Sequence, residues 1–129
     1  MSKLYSTGPI ENAINITTPS VSSNIIIKLL NNNINQIAEV EVTVFRLNGT
    51  KTQIYINTIQ INPNSSALTV VDVSNVLEFE VQIKVIKCSN HVLIGVFGED
   101  ANGLLVAAQR LVHSELTEIC LPRDCYKQF

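Results

Sequence analysis

The chain has 129 residues, which fits one domain of the common size of roughly 100–150 residues and allows a substantial buried core. It is 46% hydrophobic and only 16% charged, and nine basic residues against eleven acidic ones leave a net charge of −2. That balance gives no electrostatic footprint for nucleic acid, the sparse aromatics give no stacking platform for single strands, and no apolar run approaches the roughly 20 residues of a membrane helix.

In chain order, residues 1–23 come first. They are rich in Ser, Thr and Asn, contain Pro9 and Pro19, and show a weak alternation through Ile10, Ile14, Ile16 and Val21. No apolar run suited to a signal peptide follows Met1, so synthesis without one, in the cytoplasm, is expected. The segment reads either as a frayed terminus or as an extended arm outside the folded body. Such an arm could add a strand to a neighbour's sheet edge.

From residue 24 the pattern is short Val/Ile-rich runs broken by turn signals about every ten residues. The branched Cβ atoms of Val and Ile favour a pleated surface, and this spacing predicts a sandwich or barrel. The first strand, 24–30, contains Ile25-Ile26-Ile27 guarded only by Lys28, and is expected at an exposed sheet edge. The second, 38–47, alternates Val40, Val42 and Val44 with Glu39, Glu41 and Thr43. Asn48-Gly49 signals a type I′ hairpin turn into 51–61. There the apolar parity changes between Ile56 and Ile59, which predicts a bulge or corner near Asn57-Thr58.

A turn at Pro63-Asn64 leads into 67–73. The strand 78–87 carries Phe79, Val81, Ile83 and Val85 inward, with Glu80, Gln82 and Lys84 toward water. Runs 92–97 and 104–112 form a hairpin around 98–103, and 115–121 closes the body. Eight antiparallel strands in about 100 residues match a jelly roll or an Ig-like sandwich, and periodicity alone does not decide between them; the expected fold is all-β, an eight-stranded antiparallel, jelly-roll-like sandwich over 24–121. An extended N-terminal arm (1–23) precedes it and a C-terminal tail (122–129) follows.

Candidate chemistry is thin. Cys88-x-x-His91 with Cys120-x₄-Cys125 lies near the spacing of zinc sites, against a plain reading in which the first pair merely occupies a polar turn. His113-Ser114-Glu115 cannot act as a relay on extended chain, because neighbours point to opposite faces. The 99–103 loop has oxygen ligands but lacks the remaining acids of a calcium loop. Gly95, Gly98 and Gly103 have no phosphate-loop context, and three sequons at Asn15, Asn48 and Asn64 come without a secretory signal. No cofactor, metal or catalytic residue is assigned. The odd count of three cysteines remains. Cys120 and Cys125 could close a small loop, or Cys88, Cys120 and Cys125 could bond between subunits, or all three could be unrelated thiols.

The stretches Val44-Phe-Arg-Leu-Asn-Gly-Thr-Lys, Ala67-Leu-Thr-Val-Val-Asp-Val-Ser-Asn-Val, Phe79-Glu-Val-Gln-Ile and Val96-Phe-Gly-Glu-Asp-Ala-Asn-Gly-Leu-Leu-Val-Ala-Ala-Gln-Arg-Leu-Val-His-Ser-Glu-Leu together resemble small spore-surface proteins of endospore-forming bacteria. The resemblance spans residues 24–119 and is one of pattern, without a diagnostic motif. Within that group the functional analogy is to subunits of endospore appendages, fibres on the exosporium. Those are jelly-roll domains joined through an N-terminal connector and cross-linked by cysteines. This chain departs from them in having no cysteine in its arm.

The expectation is a non-enzymatic structural subunit of the spore surface, an exosporium or appendage component. It would assemble with copies of itself into a fibre, ring or layer by strand pairing through Ile10, Ile14, Ile16 and Val21, with disulfides available as locks. Other spore-surface proteins are further candidate partners; nucleic acid and membrane are not. The alternative is a binding module whose loops, 31–35 and 99–103, contact glycan or another coat protein. A metal enzyme built on Cys88, His91, Cys120 and Cys125 is the third reading.

Overall fold

The structure, a computed structural model, describes residues 2–18 and 21–121. Its strands are β1 (Lys3–Ser6), β2 (Ile10–Glu11), β3 (Asn24–Asn31), β4 (Ala38–Leu47), β5 (Lys51–Ile61), β6 (Ser65–Asp72), β7 (Glu78–Lys87), β8 (Val92–Glu99), β9 (Leu105–Leu111) and β10 (Thr117–Ile119), with a single 3₁₀ turn at His113–Glu115 before the last. All pairings are antiparallel and form two sheets. One runs β10-β1-β7-β4-β5 with β2 also on β7; the other runs β6-β3-β8-β9. The β4–β5 and β8–β9 hairpins stay within a sheet, while most other connections cross between sheets, as in jelly rolls and other Greek-key sandwiches. Each of the eight expected strands is present.

The alternation read from sequence decides the core. Val40, Val42 and Val44 of β4 face Phe79, Val81, Ile83 and Val85 of β7 on one inner surface, and Ile25, Ile27 and Leu29 of β3 with Val92, Ile94 and Val96 of β8 line the other. Full burial of each such side chain stabilises the fold by about 1.5–3 kcal/mol. A one-residue slip of β4 or β7 would bury Glu39, Glu41 or Lys84 instead, so the register is strongly specified.

Four expectations are corrected. The hairpin after β4 has a three-residue loop, 48–50, closed by the Leu47–Lys51 pair. Gly49 has φ +87° but Asn48 does not reach positive φ, and a type I′ turn needs both. The register shift of β5 lies opposite Val44/Phe45, leaving Ile54 as the extra residue, three positions earlier than Asn57. Ile59 and Ile61 still turn inward, while Ile56 faces solvent.

Strand β3 is not an edge. It is paired along its whole length with β6 on one side and β8 on the other.

Finally, the expected arm, 1–23, is not outside the body where the structure describes it. Strand β1 lies between β7 and β10 in its own sheet, and Ile10 and Glu11 pair with Phe79 and Glu78. Without β1, the interior strand β7 would expose a row of unpaired backbone groups, and the chain's own N-terminus closes that gap.

Candidate interaction surface

The sequence-derived site residues do not converge. Of the four arm positions, Ile10 is packed against the core and Val21 is half-buried, whereas Ile14 and Ile16 are 66% and 94% exposed on the loop between β2 and β3. Cys88 directly follows β7 with φ +64°, its thiol directed at the carbonyls of Gln36 and Ile37. Cys88 and Cys120 are both half-buried and are not joined to one another. Cys125 lies outside the described residues, and with it any pairing inside the tail. Among the described residues no three His, Cys, Asp or Glu side chains gather where a metal could be held.

The other motifs resolve into structural work. His113 packs edge-on against Tyr5, ring centroids 4.9 Å apart, and its Nδ1 accepts the Ile94 backbone N–H at 3.2 Å. Burial and the nearby Lys3 ammonium hold its pKa below the ordinary imidazole value. Glu115 accepts the Val112 N–H at 2.9 Å, so neither residue is free to serve the other. In the 99–103 loop, Asp100 Oδ1 accepts the N–H groups of Asn102 and Leu104, which makes a self-satisfied hairpin tip. The 31–35 loop is tied down similarly, because Asn33 Oδ1 accepts from Asn35 and Gln36.

Sequence reasoning missed a buried polar clamp. Asn12 is fully buried, and its Nδ2 reaches the carbonyls of Ser22, Val73 and Val76 at 2.9–3.1 Å. Its Oδ1 accepts the Ser22 N–H at 2.7 Å and Gln109 Nε2 at 3.2 Å. Gln109 also donates to the Glu11 carbonyl, and the Ser22 hydroxyl donates to Gln109. A Cβ at Gly98 would collide with Gln109 and Ser22, so glycine is required beneath this cluster. A second buried asparagine, Asn31, donates to the carbonyls of Gln36, Ile61 and Asn62. No residue spacing signals either clamp; each is one Asn in a polar stretch that looks like loop.

The outward faces of the two sheets differ in chemistry. On the six-stranded sheet, Glu41 lies opposite Lys84, Thr43 opposite Gln82 and Phe45 opposite Glu80. Lys51 Nζ sits 2.8 Å from Glu80 and 4.2 Å above the Phe45 ring. Glu80 also accepts from Ser6 and Gln82. Burial pushes the Glu80 carboxyl up, but the hydrogen bonds from Lys51, Ser6 and Gln82 outweigh it and hold its pKa below the ordinary value.

On the four-stranded sheet the registers set four outward rows across the strands. They are Asp72–Asn24–Glu99–Leu105, Val70–Ile26–Phe97–Arg110, Leu68–Lys28–Gly95 and Ser66–Leu30–Leu93. Leu30, Leu68, Val70 and Leu93 are 38–57% exposed. The Phe97 ring lies across Gly95, where an added Cβ would come within 2.9 Å of Cε2. A shallow groove of about 450 Å³ runs beside it, lined in part by Leu30, Leu93, Phe97 and Lys28. Sequence carried a signal of this face: Ile25-Ile26-Ile27, Val70-Val71 and Val92-Leu93-Ile94 are apolar on both sides of their strands, and such runs mark strands covered on both faces.

None of the described elements is a helix long and apolar enough to cross a membrane. No family model matches the chain and no curated protein matches it. Similar solved structures include the following two. The crystal structure of Thermotoga maritima 1070 shares 12% identity and 90% of each chain at a TM-score of 0.51. The Anabaena sensory rhodopsin transducer shares 12% identity over 78% of this chain and 90% of its own, at a TM-score of 0.47. At this identity the first likeness is one of fold alone, that of an all-β sandwich.

Proposed function

We propose that this chain is a non-catalytic structural subunit that associates with copies of itself in a fibre, ring or layer at the surface of bacterial spores. The observation that carries the reading is the outward face of the four-stranded sheet, where Ile26, Leu30, Leu68, Val70, Leu93 and Phe97 surround Lys28, with Asp72, Glu99 and Arg110 toward the margins. Contiguous apolar patches of this kind mark association surfaces, because a dilute monomer gains nothing from them. The low charge of the chain acts in the same direction, since weak self-repulsion favours lateral packing.

Strand pairing through the N-terminal segment takes a narrower form in this reading. Strands β1 and β2 are engaged at home, so the part left for a neighbour is the loop bearing Ile14 and Ile16. The half-buried thiol of Cys88 is placed to bond between subunits once the assembly leaves a reducing compartment.

The test is the purified, reduced full chain, followed by light scattering from micromolar to near-millimolar concentration and imaged in negative stain. Concentration-dependent oligomers or ordered polymers are expected. A monomer throughout that range ends the reading. Antibody labelling of intact spores tests the location, and signal confined to the interior of vegetative cells would refute it.

A further inference from the structure

We infer that the apolar face pairs with the same face of a second copy, in one register chosen by its charges. This rests on the self-association proposed above and names the surface and the partner. Sheets packed face to face keep their strands roughly aligned, about 10 Å apart, with side chains interdigitating. Contact between two identical faces is isologous, so a two-fold axis relates them and every contact occurs twice. With the axis lying across the strands, each strand packs over its own copy, and its position along the strands sets the register.

The charged residues on the face decide it. Lys28 lies in the centre, two residues along β3 from the Ile26 row, and the acids Asp72 and Glu99 flank Asn24 two residues beyond that row on the other side. An axis through the Lys28 row would set the two ammonium groups against each other in an apolar contact, which costs affinity through desolvated like charge. An axis along the Val70–Ile26–Phe97 row exchanges the Lys28 row of one copy with the Asp72–Asn24–Glu99 row of the other. Each Lys28 then enters between the two carboxylates of its partner, about one strand spacing of 4.8 Å to either side and within reach of its flexible stem. Val70, Ile26 and Phe97 of the middle row pack on their own copies, while Arg110, on the edge strand β9 at the end of that row, meets its copy at the rim, where its long stem keeps the guanidinium in water. The Leu30–Leu93 row falls beyond the partner's Asn24 row, at the end of its β8–β9 hairpin, where Leu104 is exposed.

The area agrees with a specific but reversible contact. Four strands of about eight residues give a footprint of roughly 500 Å² in projection, and more in accessible surface because the side chains stand up from the sheet. Two such faces approach the lower end of specific interfaces, about 1,200 Å² in total. An isologous contact closes on itself, so the pair is a building block, and polymers need a second contact such as the exposed loop with Ile14 and Ile16.

The experiment is sedimentation equilibrium of the full chain under reducing conditions, with circular dichroism to verify folding of each variant. Leu93→Glu is expected to weaken association at least tenfold. Lys28→Glu alone and Glu99→Lys alone should each weaken it several-fold, because each sets like charges together, and the double variant Lys28→Glu/Glu99→Lys should recover most of the loss. If the wild type self-associates but Leu93→Glu does so equally well, the face is not the interface, and the self-association reading stands on another surface. If Leu93→Glu dissociates the protein but the charge reversal does not restore binding, the register is wrong. A wild type that stays monomeric removes both.

Discussion

The six-stranded sheet carries outward Glu41, Thr43, Glu80, Gln82 and Lys84, whereas the four-stranded sheet carries Ile26, Leu30, Leu68, Val70, Leu93 and Phe97 in equivalent positions. Both are built from the same period-2 alternation and share one core, so the inner faces are alike. The difference lies in what completes each sheet. The polar sheet is finished by its own chain, with β1 and β2 filling the side of β7 and Ser6 and Lys51 satisfying Glu80. The apolar sheet is complete in hydrogen bonding between its strands yet unfinished in burial. Solvent satisfies the first surface, and only another apolar surface satisfies the second.

The comparison breaks at its strongest point if the N-terminal segment proves dispensable. Asn12 holds that segment to the loops at Ser22 and Val73–Val76 and to Gln109. Asn12→Leu leaves the Ser22 N–H and several carbonyls buried without partners, at about 1–3 kcal/mol for each unsatisfied group. A loss of about 3–5 kcal/mol in folding stability is expected, read as a lower urea midpoint at unchanged slope. An unchanged midpoint would mean that residues 2–12 are peripheral after all. By the same logic, deleting β1 should unfold the domain rather than release intact monomers.

A smaller effect is expected on the polar face. Glu80→Ala removes the acceptor for the buried Ser6 hydroxyl and the ion pair with Lys51, which is partly exposed and contributes little by itself. About 1–2 kcal/mol is expected from the lost hydrogen bonding, with most of it also lost in Ser6→Ala if the two act as one unit. Additive losses in the double variant would show that they do not.

His113 connects the two sheets, since its ring meets Tyr5 of β1 and its Nδ1 accepts from Ile94 of β8. Protonation at Nδ1 would remove that acceptor. Its pKa is held below the ordinary value by burial and Lys3, so below a pH of about 6.5 the unfolded chain takes up the proton more readily than the folded one. The sign follows: its contribution is fully present above the unfolded pKa and is lost as pH falls through the folded one. Urea midpoints at pH 7.5 and 5.5 should fall for the wild type and fall less for His113→Gln. Equal slopes would remove His113 from the account.

How far the sequence could be read follows from the range of each signal. Alternation in β4 and β7 is local and strong, so strand positions and inner faces were legible there, as were the hairpins around 48–50 and 98–103. Strand β1 has four residues, and its partners in β7 lie about 80 positions away; nothing local marks the pairing. Asn12 and Asn31 look like loop asparagines because their partners are backbone carbonyls scattered over the chain. The run Ile25-Ile26-Ile27 reads locally as an edge guarded only by Lys28, yet it belongs to an interior strand. The same run, like Leu29-Leu30, Val70-Val71 and Val92-Leu93-Ile94, is apolar on both faces, and these runs are the trace in the sequence of the uncovered outer surface.

The smallest expected effect sharpens the contrast between the faces most. Leu68 stands on the outward side of β6, 57% exposed, opposite Lys28. Leu29, one residue along from that partner, points into the core and is essentially inaccessible. Truncating Leu29 to Ala removes packed methylenes and leaves a cavity, at about 2–5 kcal/mol. Leu68→Thr removes a side chain already mostly in water and replaces it with a residue of higher β-propensity, so the two contributions nearly cancel. In the Leu93→Glu background, where association through this face is suppressed, Leu68→Thr should change folding stability by no more than about 0.5 kcal/mol, as surface substitutions commonly do. In the otherwise wild-type chain the same substitution should instead weaken self-association several-fold. A cost above about 1.5 kcal/mol in the dissociated background would mean that Leu68 already packs within its own subunit. The four-stranded sheet would then be finished like its partner, and the contrast between the two faces would disappear.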